Sequence, residues 1–351
     1  MYTVGSMFAG IGGLCKGFEN AGADLKWANE FDKYACITYR KNFKHTLFDE
    51  DIHKLTTKER IKEIPKVDII TSGFPCQAFS IAGDRKGFDD PRGNLFFETA
   101  KVIDKIKPKA FMLENVKNLV GHNNGNTFEV IKNVIVNDLK YSFIPFILNS
   151  KDFGNIPQTR ERIYIVGFKD EAQYNNFDDK FYVYNIQNDE IYRELIKKHN
   201  GQKNSTMNFV IPNPTKLTKK INDLILDEKQ DSRFYYDSNN YLYNELSNGV
   251  SSRNTIYQWR RVYIRENKSN LCPTLTANMG TGGHNVPIIK DEFGIRKLTP
   301  RECARFQGLD DTFILPEIAQ SHLYKQIGNS VVMPVVKRIA QEIIRVLNIK
   351  Y

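Results

Sequence analysis

The run VDIITSGFPCQAFSIAG ends an apolar stretch of strand length with Pro75 and Cys76, so a thiol lies where a strand gives way to a loop. A cysteine at such a junction can be exposed and drawn toward its thiolate, the form that attacks carbon. An isolated cysteine is more simply read as a small buried hydrophobe, but this one is not isolated. The next strand ends in LENV, which carries Glu114 to the carboxyl edge of a sheet, where open α/β sheets gather their ligands. Further on, QTRERIYIVG alternates Gln158, Arg160 and Arg162 into the start of another strand, so side chains two apart share a face. Two guanidiniums beside a thiol favour its thiolate and could also hold a phosphate. A nucleophile, an acid and paired cations are the parts of a covalent catalytic centre.

A second group of residues suits a nucleotide-like ligand. The first apolar run leads into FAGIGGL, a glycine turn opening a helix, where a doubly wound sheet presents backbone amides to such a ligand. Gly10, Gly12 and Gly13 do not follow the spaced GxGxxG of dinucleotide folds, which argues against a nicotinamide oxidoreductase and for another adenosine ligand. Glu30, in NEFD after the second strand, stands where a carboxylate accepts ribose hydroxyls, and Asp51 follows in DEDI. Either acid could also be a turn cap or a solvated surface group.

These residues need a frame, and the hydrophobic pattern supplies one. YTVGSMF, LKWAN, VDIITSG, KAFMLEN, YSFIPFIL and RIYIVGF are strand candidates that alternate with helix-period segments. That order predicts an α/β fold with a doubly wound, mostly parallel sheet. Leu95, Thr99, Val102, Ile103 and Ile106 form one expected helix face, Phe128, Ile131, Val134 and Ile135 another, and Val335, Ile339, Ile343 and Leu347 a third. Between about 186 and 295 Asn, Lys, Tyr and Ser dominate and periodicity fades, which reads as a smaller irregular domain. Order returns at LTPRECARFQGL, where Thr299 can cap a helix that opens with Pro300 and carries Glu302.

Composition narrows the class. The 351 residues carry a net charge of +9, a balance that attracts phosphate backbones without requiring them. Five scattered cysteines form no CxxC pair and have no histidine at ligand spacing, so neither disulfides nor a metal are expected. No apolar run is long enough to span a membrane and the N-terminus has no secretory pattern, so a soluble, cytoplasmic protein is expected.

FAGIGG, NEFD, GFPCQAFS, RGNLFFE, ENVKNL, QTRERIYIVG, LTPRECARFQG and QIGNSVVMPVV occur in this order along nearly the whole chain. The set resembles the ordered motifs of the DNA cytosine-5 methyltransferase family, particularly its short bacterial modification enzymes. Ser6 stands where many members have an acid, and Phe31 where many have another aromatic. The resemblance implies a Rossmann-like S-adenosylmethionine-dependent fold, with residues 1–185 and 318–351 forming the catalytic domain and 186–317 a target-recognition domain. It implies methyl transfer to carbon 5 of a cytosine flipped from duplex DNA, through a covalent Cys76 adduct. Glu114 would serve ring nitrogen 3, Arg162 the carbonyl oxygen, and Arg160 and Gln158 would support them. S-adenosylmethionine, leaving as S-adenosylhomocysteine, would meet Phe8, Gly10, Gly12, Gly13, Glu30, Phe31, Asp51, Ile52, Pro75, Leu95, Asn329 and Ser330, with no metal.

The partner implied is double-stranded DNA, met by a monomer, with a cognate restriction endonuclease acting on the same site without direct contact. Gln77, Ser80 and Arg92 are expected at the DNA, in or beside the charged glycine-containing loop SIAGDRKGFDDPRGN. Read as one strand, YQWRRVYIRENK would put Trp259, Arg261, Tyr263 and Arg265 on one face. PTLTANMGTGGHNVP is the better expectation for groove contact, with Thr274 and Thr276 for phosphates and Gly282 allowing close backbone approach. A branch of the same family acts on tRNA, and a catalytically dead nucleic-acid binder is the other alternative. The long variable domain favours duplex DNA, and an intact Cys76, Glu114 and Arg162 disfavour the dead relative.

Overall fold

The computed structural model describes residues 1–75, 95–174, 183–199 and 203–350. Its strands are Thr3–Met7 (β1), Asp24–Asn29 (β2), Thr46–Phe48 (β3), Ile69–Ser72 (β4), Ala110–Val116 (β5), Ile144–Asn149 (β6), Gln158–Thr159 (β7) and Glu161–Phe168 (β8). Seven of them form one sheet in the order β3-β2-β1-β4-β5-β8-β6. Neighbours from β3 to β5 run parallel, while β8 is antiparallel to both β5 and β6. The expected α/β sheet is therefore present and mostly parallel. β3 was not expected, because its three residues are no better than half-buried and carry no apolar run.

Strand alternation divides the core. On β5, Ala110 and Met112 belong to the cluster on one face, and Phe111 and Leu113 to that on the other. The first face is covered by Gly13–Glu19 (α1), Lys33–Asn42 (α2) and the C-terminal helix. The second is covered by Leu95–Ile106 (α4) and Asn126–Asn133 (α5), with the short Ile52–Leu55 (α3) at its margin. Ser150–Phe153 (α6), Asp189–His199 (α7), Ser205–Asn208 (α8) and Tyr243–Gly249 (α9) lead to Pro300–Phe306 (α10), Gln320–Asn329 (α11) and Met333–Leu347 (α12). The three expected helix faces are found, α12 burying Val335, Ile339 and Ile343.

Tyr257–Trp259 (β9), Ile264–Glu266 (β10), Ile288–Lys290 (β12) and Ile295–Lys297 (β13) make a second sheet, and Cys272–Pro273 (β11) pairs with β7. The small core of this unit is confined to residues between Leu242 and Ile295. Tyr192, Phe209, Ile221 and Phe234 on one side, and Leu298, Phe306 and Phe313 on the other, are buried in the large cluster.

YQWRRVYIRENK is a hairpin and not a single strand. Trp259 faces Ile264 and Gln258 faces Arg265 across antiparallel β9 and β10, with Arg260 N–H donating to the Tyr263 carbonyl at 2.8 Å. The sequence hides the turn because Arg261, at φ +69°, takes a conformation usually signalled by glycine or asparagine. Trp259, Arg261, Tyr263 and Arg265 therefore do not line one strand face as expected.

The Thr299 cap forms as expected: Thr299 Oγ1 accepts from Glu302 N–H at 3.2 Å, and the Glu302 carboxylate accepts from Thr299 N–H at 2.7 Å. Glu302 also accepts from Leu226 N–H at 2.9 Å and takes both ends of the Arg296 guanidinium at 2.7 and 2.8 Å, each side chain being 0% exposed. This buried pair joins the second unit to α10. Glu302→Ala would leave Arg296 buried beside Asp291 alone. A loss of about 3–5 kcal/mol is expected in denaturant unfolding, and a loss under about 1 kcal/mol would show the pair to be incidental.

Candidate active site

The cleft begins at the loops that follow β1 and β2. Phe8 and Gly10 adopt left-handed backbone at φ +52° and +58°, which turns the chain sharply out of the sheet. Gly10 N–H donates to Glu30 Oε2 at 2.8 Å, while Phe31 and Asp32 N–H donate to Glu30 Oε1 at 2.9 and 2.8 Å. A buried carboxylate thus ties the two loops together. Gly12, at φ +92°, opens α1, and a Cβ there would strike the Phe43 ring. A Cβ on Gly13 would sit 2.5 Å from Ser330 Oγ, so α1 and the end of α11 meet only because that position is glycine.

Beside these loops lies a hollow of about 250 Å³ that brings together Phe8, Glu30, Phe31, Asp51, Ile52 and Leu95, with Asn29 and His53. Asp51 also caps α3 by accepting from His53 N–H at 2.8 Å, so its turn-cap role is real. A second cleft of about 440 Å³ shares Phe8, Glu30 and Phe31 with the first and reaches Gly10, Pro75, Glu114, Arg160, Arg162 and Asn329. Gly12, Gly13, Ser330 and Gln158 stand behind these walls. Among the described residues Ser330 Oγ is buried without a hydrogen-bond partner. Two joined hollows with a carboxylate between them fit an elongated ligand with a ribose at its middle.

Glu114 lies near the end of β5 and Arg162 near the start of β8. The antiparallel ladder sets Glu114 opposite Tyr164 and Val116 opposite Arg162, so the two side chains meet on the diagonal, with Arg162 Nε 3.1 Å from Glu114 Oε1. Burial raises the Glu114 carboxyl above its usual range, against the opposing pull of Arg162 and Arg160. Arg160 is buried and donates to the carbonyls of Leu275 at 2.8 Å, Gly328 at 3.1 Å and Ser330. Burial, assisted by Arg162, pushes its guanidinium down to about 9. Gln158 donates to the Phe306 carbonyl at 2.8 Å and accepts from Leu275 N–H at 3.1 Å. Its side chain is a brace between β7, α10 and the loop after β11, not a cleft group.

Cys76, Gln77, Ser80 and Arg92 lie outside the described residues. The other four cysteines, Cys15, Cys36, Cys272 and Cys303, are buried, and burial pushes every one of these thiols upward, Cys36 to about 12. Each is therefore a poor nucleophile.

At the second unit, Arg261 and Arg265 are exposed on the hairpin. Gly282, at φ +91°, borders a hollow of about 210 Å³ with Tyr236, Tyr241, Trp259 and Lys297. Thr276 Oγ1 donates to Asn278 Oδ1 at 2.8 Å, and Thr274 Oγ1 donates to the Thr159 carbonyl. The Thr274 hydroxyl proton is thus spent inside the protein.

Sequence reasoning missed the wall that α11 and α2 contribute: Asp32, Ala35, His322, Lys325 and Gln326, with Asn115 and Val116 from β5. The i, i+3, i+7 spacing of His322, Lys325 and Asn329 was the available signal. Lys325 pairs with Asp32 at 2.9 Å and His322 stacks on Tyr34, which fixes α11 against α2.

No helix among the described residues is long and apolar enough to cross a membrane, and none of their His, Cys, Asp and Glu side chains form a group of three or more that could hold a metal ion. The sequence profile described as C-5 cytosine-specific DNA methylase matches residues 2–345. The chain is 51% identical to Type II methyltransferase M.Bsp6I of Bacillus sp. (strain RFL6), over 98% of each chain. It is 37% identical to Type II methyltransferase M.HhaI of Haemophilus parahaemolyticus, over 98% of this chain and 94% of that one. Among solved structures, S. pombe Dnmt2 methyltransferase shares the fold at a TM-score of 0.68 and 20% identity, over 99% of this chain and 100% of that one. A putative DNA modification methyltransferase encoded within an E. coli prophage does so at 0.65 and 22%, over 99% and 100%. The chain belongs to the C-5 cytosine-specific DNA methylase family and is a DNA cytosine-5 methyltransferase of the type II modification kind.

Proposed function

We propose that the protein methylates carbon 5 of a cytosine flipped out of a short specific duplex sequence, using S-adenosylmethionine and a covalent bond from Cys76. The observation that carries this reading is the Glu114–Arg162 pair, buried at a cleft that also reaches Pro75, the residue before Cys76. The cytosine ring is too poor a nucleophile at carbon 5 to react unaided. Addition of the Cys76 thiolate to carbon 6 moves electron density onto carbon 5. Glu114, whose carboxyl burial raises above its usual range, donates in its protonated form to ring nitrogen 3 as that density builds, and Arg162 binds the carbonyl oxygen. Once carbon 5 has taken the methyl group, loss of its proton to solvent expels the Cys76 thiolate and restores the ring.

S-adenosylmethionine, when bound, supplies an electrophilic methyl group. Phe8, Phe31, Ile52 and Leu95 would enclose its adenine, with Asp51 at the ring edge. Glu30 would take the ribose hydroxyls, and Gly10, Asn329 and Ser330 would frame the methionine end. Arg160, Gly12, Gly13 and Gln158 act behind the cleft by fixing these loops. The target base must leave the duplex to reach such a cleft. Gln77, Ser80, Arg92, Arg261, Arg265, Thr276 and the Gly282 loop would meet the DNA, Thr274 supporting from behind. The protein works as a monomer in the cytoplasm and shields host DNA from a restriction endonuclease that reads the same site.

Cys76→Ala should abolish methylation while cofactor affinity, measured by titration, stays within about twofold, a factor worth only ~0.4 kcal/mol; measurable turnover by this variant would sink the covalent route. Glu114→Gln should lower the single-turnover rate by about 10²-fold or more. The raised carboxyl is active while protonated, so the wild-type rate should fall as pH rises through its pKa. The glutamine variant should lack that limb, and an unchanged profile would remove Glu114 from proton transfer. DNA affinity should fall steeply with salt, in keeping with the +9 charge; a flat response between low and physiological salt would argue against phosphate-led binding.

A further inference from the structure

Asn115 follows Glu114 on β5 and is 5% exposed at the cleft wall. Its Nδ2 donates to the Phe74 carbonyl at 2.8 Å, and its Oδ1 accepts from Val116 N–H at 2.8 Å. These two bonds fix the amide's orientation, because reversing it would set N–H against N–H and oxygen against carbonyl. The ladder between β4 and β5 ends at Ser72 and Leu113. Beyond it the chain runs Gly73, Phe74 and Pro75 into Cys76, and Pro75 has no N–H with which to anchor itself. Gly73 lies against Glu114, whose Oε2 is 3.7 Å from where a Cβ on Gly73 would sit. The Asn115 bond thus joins the two strands just where their own ladder stops.

We propose that Asn115 is a positioning residue for the covalent step, fixing the chain that enters Cys76 relative to Glu114; the proposal rests on the covalent reading above. The thiol that follows Pro75 in the chain and the acid on β5 must act on two atoms of one small ring, so their separation is part of the catalytic geometry. A misplacement near 1 Å costs on the order of 10²-fold in rate. Asn115 meets neither the base nor the thiol in this role; it acts through Phe74.

The test compares the unsubstituted protein with Asn115→Ala and Asn115→Asp on duplex DNA carrying 5-fluorocytosine at the target. The rate and end point of adduct formation are read, together with affinity for cofactor and DNA. Both variants should form adduct at least tenfold more slowly, with an unchanged end point and both affinities within about threefold. Asn115→Asp keeps the side-chain shape, so it guards against a folding failure of the alanine variant. Its ionised carboxylate repels the Phe74 carbonyl, whereas its protonated form can donate to it. The rate deficit of that variant should therefore shrink as pH falls. A wild-type adduct rate in either variant, a lowered end point at an unchanged rate, or a deficit independent of pH would overturn the proposal. Absence of adduct in the unsubstituted protein would overturn the covalent reading itself, and this proposal with it.

Discussion

The structure turns on one buried cation. Arg160 sits at the entry to β8 with its guanidinium out of water, and three carbonyls receive it: Leu275 from the second unit, and Gly328 and Ser330 from the end of α11. Burying a charge is costly unless its donors are met. These carbonyls meet the two terminal nitrogens, while Nε has no partner among the described residues, so the loop at Leu275 and the end of α11 must both converge on β8. Leu275 begins the glycine-containing loop of the second unit, while Ser330 packs on Gly13 at the loop after β1. Two residues on, Arg162 reaches Glu114. One short run of chain therefore sets the second unit, the glycine loop after β1 and the Glu114 carboxyl in a common frame.

The same frame explains the state of the Glu114 carboxyl. Glu114 is raised by burial and restrained by Arg162 and Arg160, so the cations that would hold it ionised are balanced by the lack of water around it. A group in that state can share a proton with a ring nitrogen at little cost. The four buried cysteines make the complementary point, since burial raises all their thiols, and at Cys36 it outweighs the opposing pull of Arg40. Burial alone silences a thiol, whereas burial beside guanidiniums tunes an acid.

Much of this was legible in the sequence because it follows from local pattern. The apolar runs gave six of the seven main-sheet strands, helical spacing gave α4 and α12, and Thr299 with Pro300 and Glu302 gave the α10 cap. The edge at which Gly10, Glu30 and Asp51 gather was equally readable, since residues that follow parallel strands project to one edge of the sheet. The hairpin at Arg261 was hidden because an arginine occupies a left-handed turn position. Gln158 was expected as a support, but its partners, the Phe306 carbonyl and the Leu275 N–H, could not be read, because alternation says only which face a side chain takes. The α11 wall and Asn115 were missed for a third reason: their significance lies in contacts across more than forty positions of sequence, such as Asn115 with Phe74 and Lys325 with Asp32.

The central claim is a bond between a particular sulfur and a particular carbon. Its most direct test is to incubate the protein with S-adenosylmethionine and duplex DNA containing 5-fluorocytosine, digest the denaturant-resistant product with protease and nuclease, and sequence the modified peptide by mass spectrometry. The account predicts a single modified peptide, with a methylated fluoropyrimidine nucleotide attached at Cys76. An adduct mapped to another residue, or methylated DNA recovered with no protein attached, would contradict it.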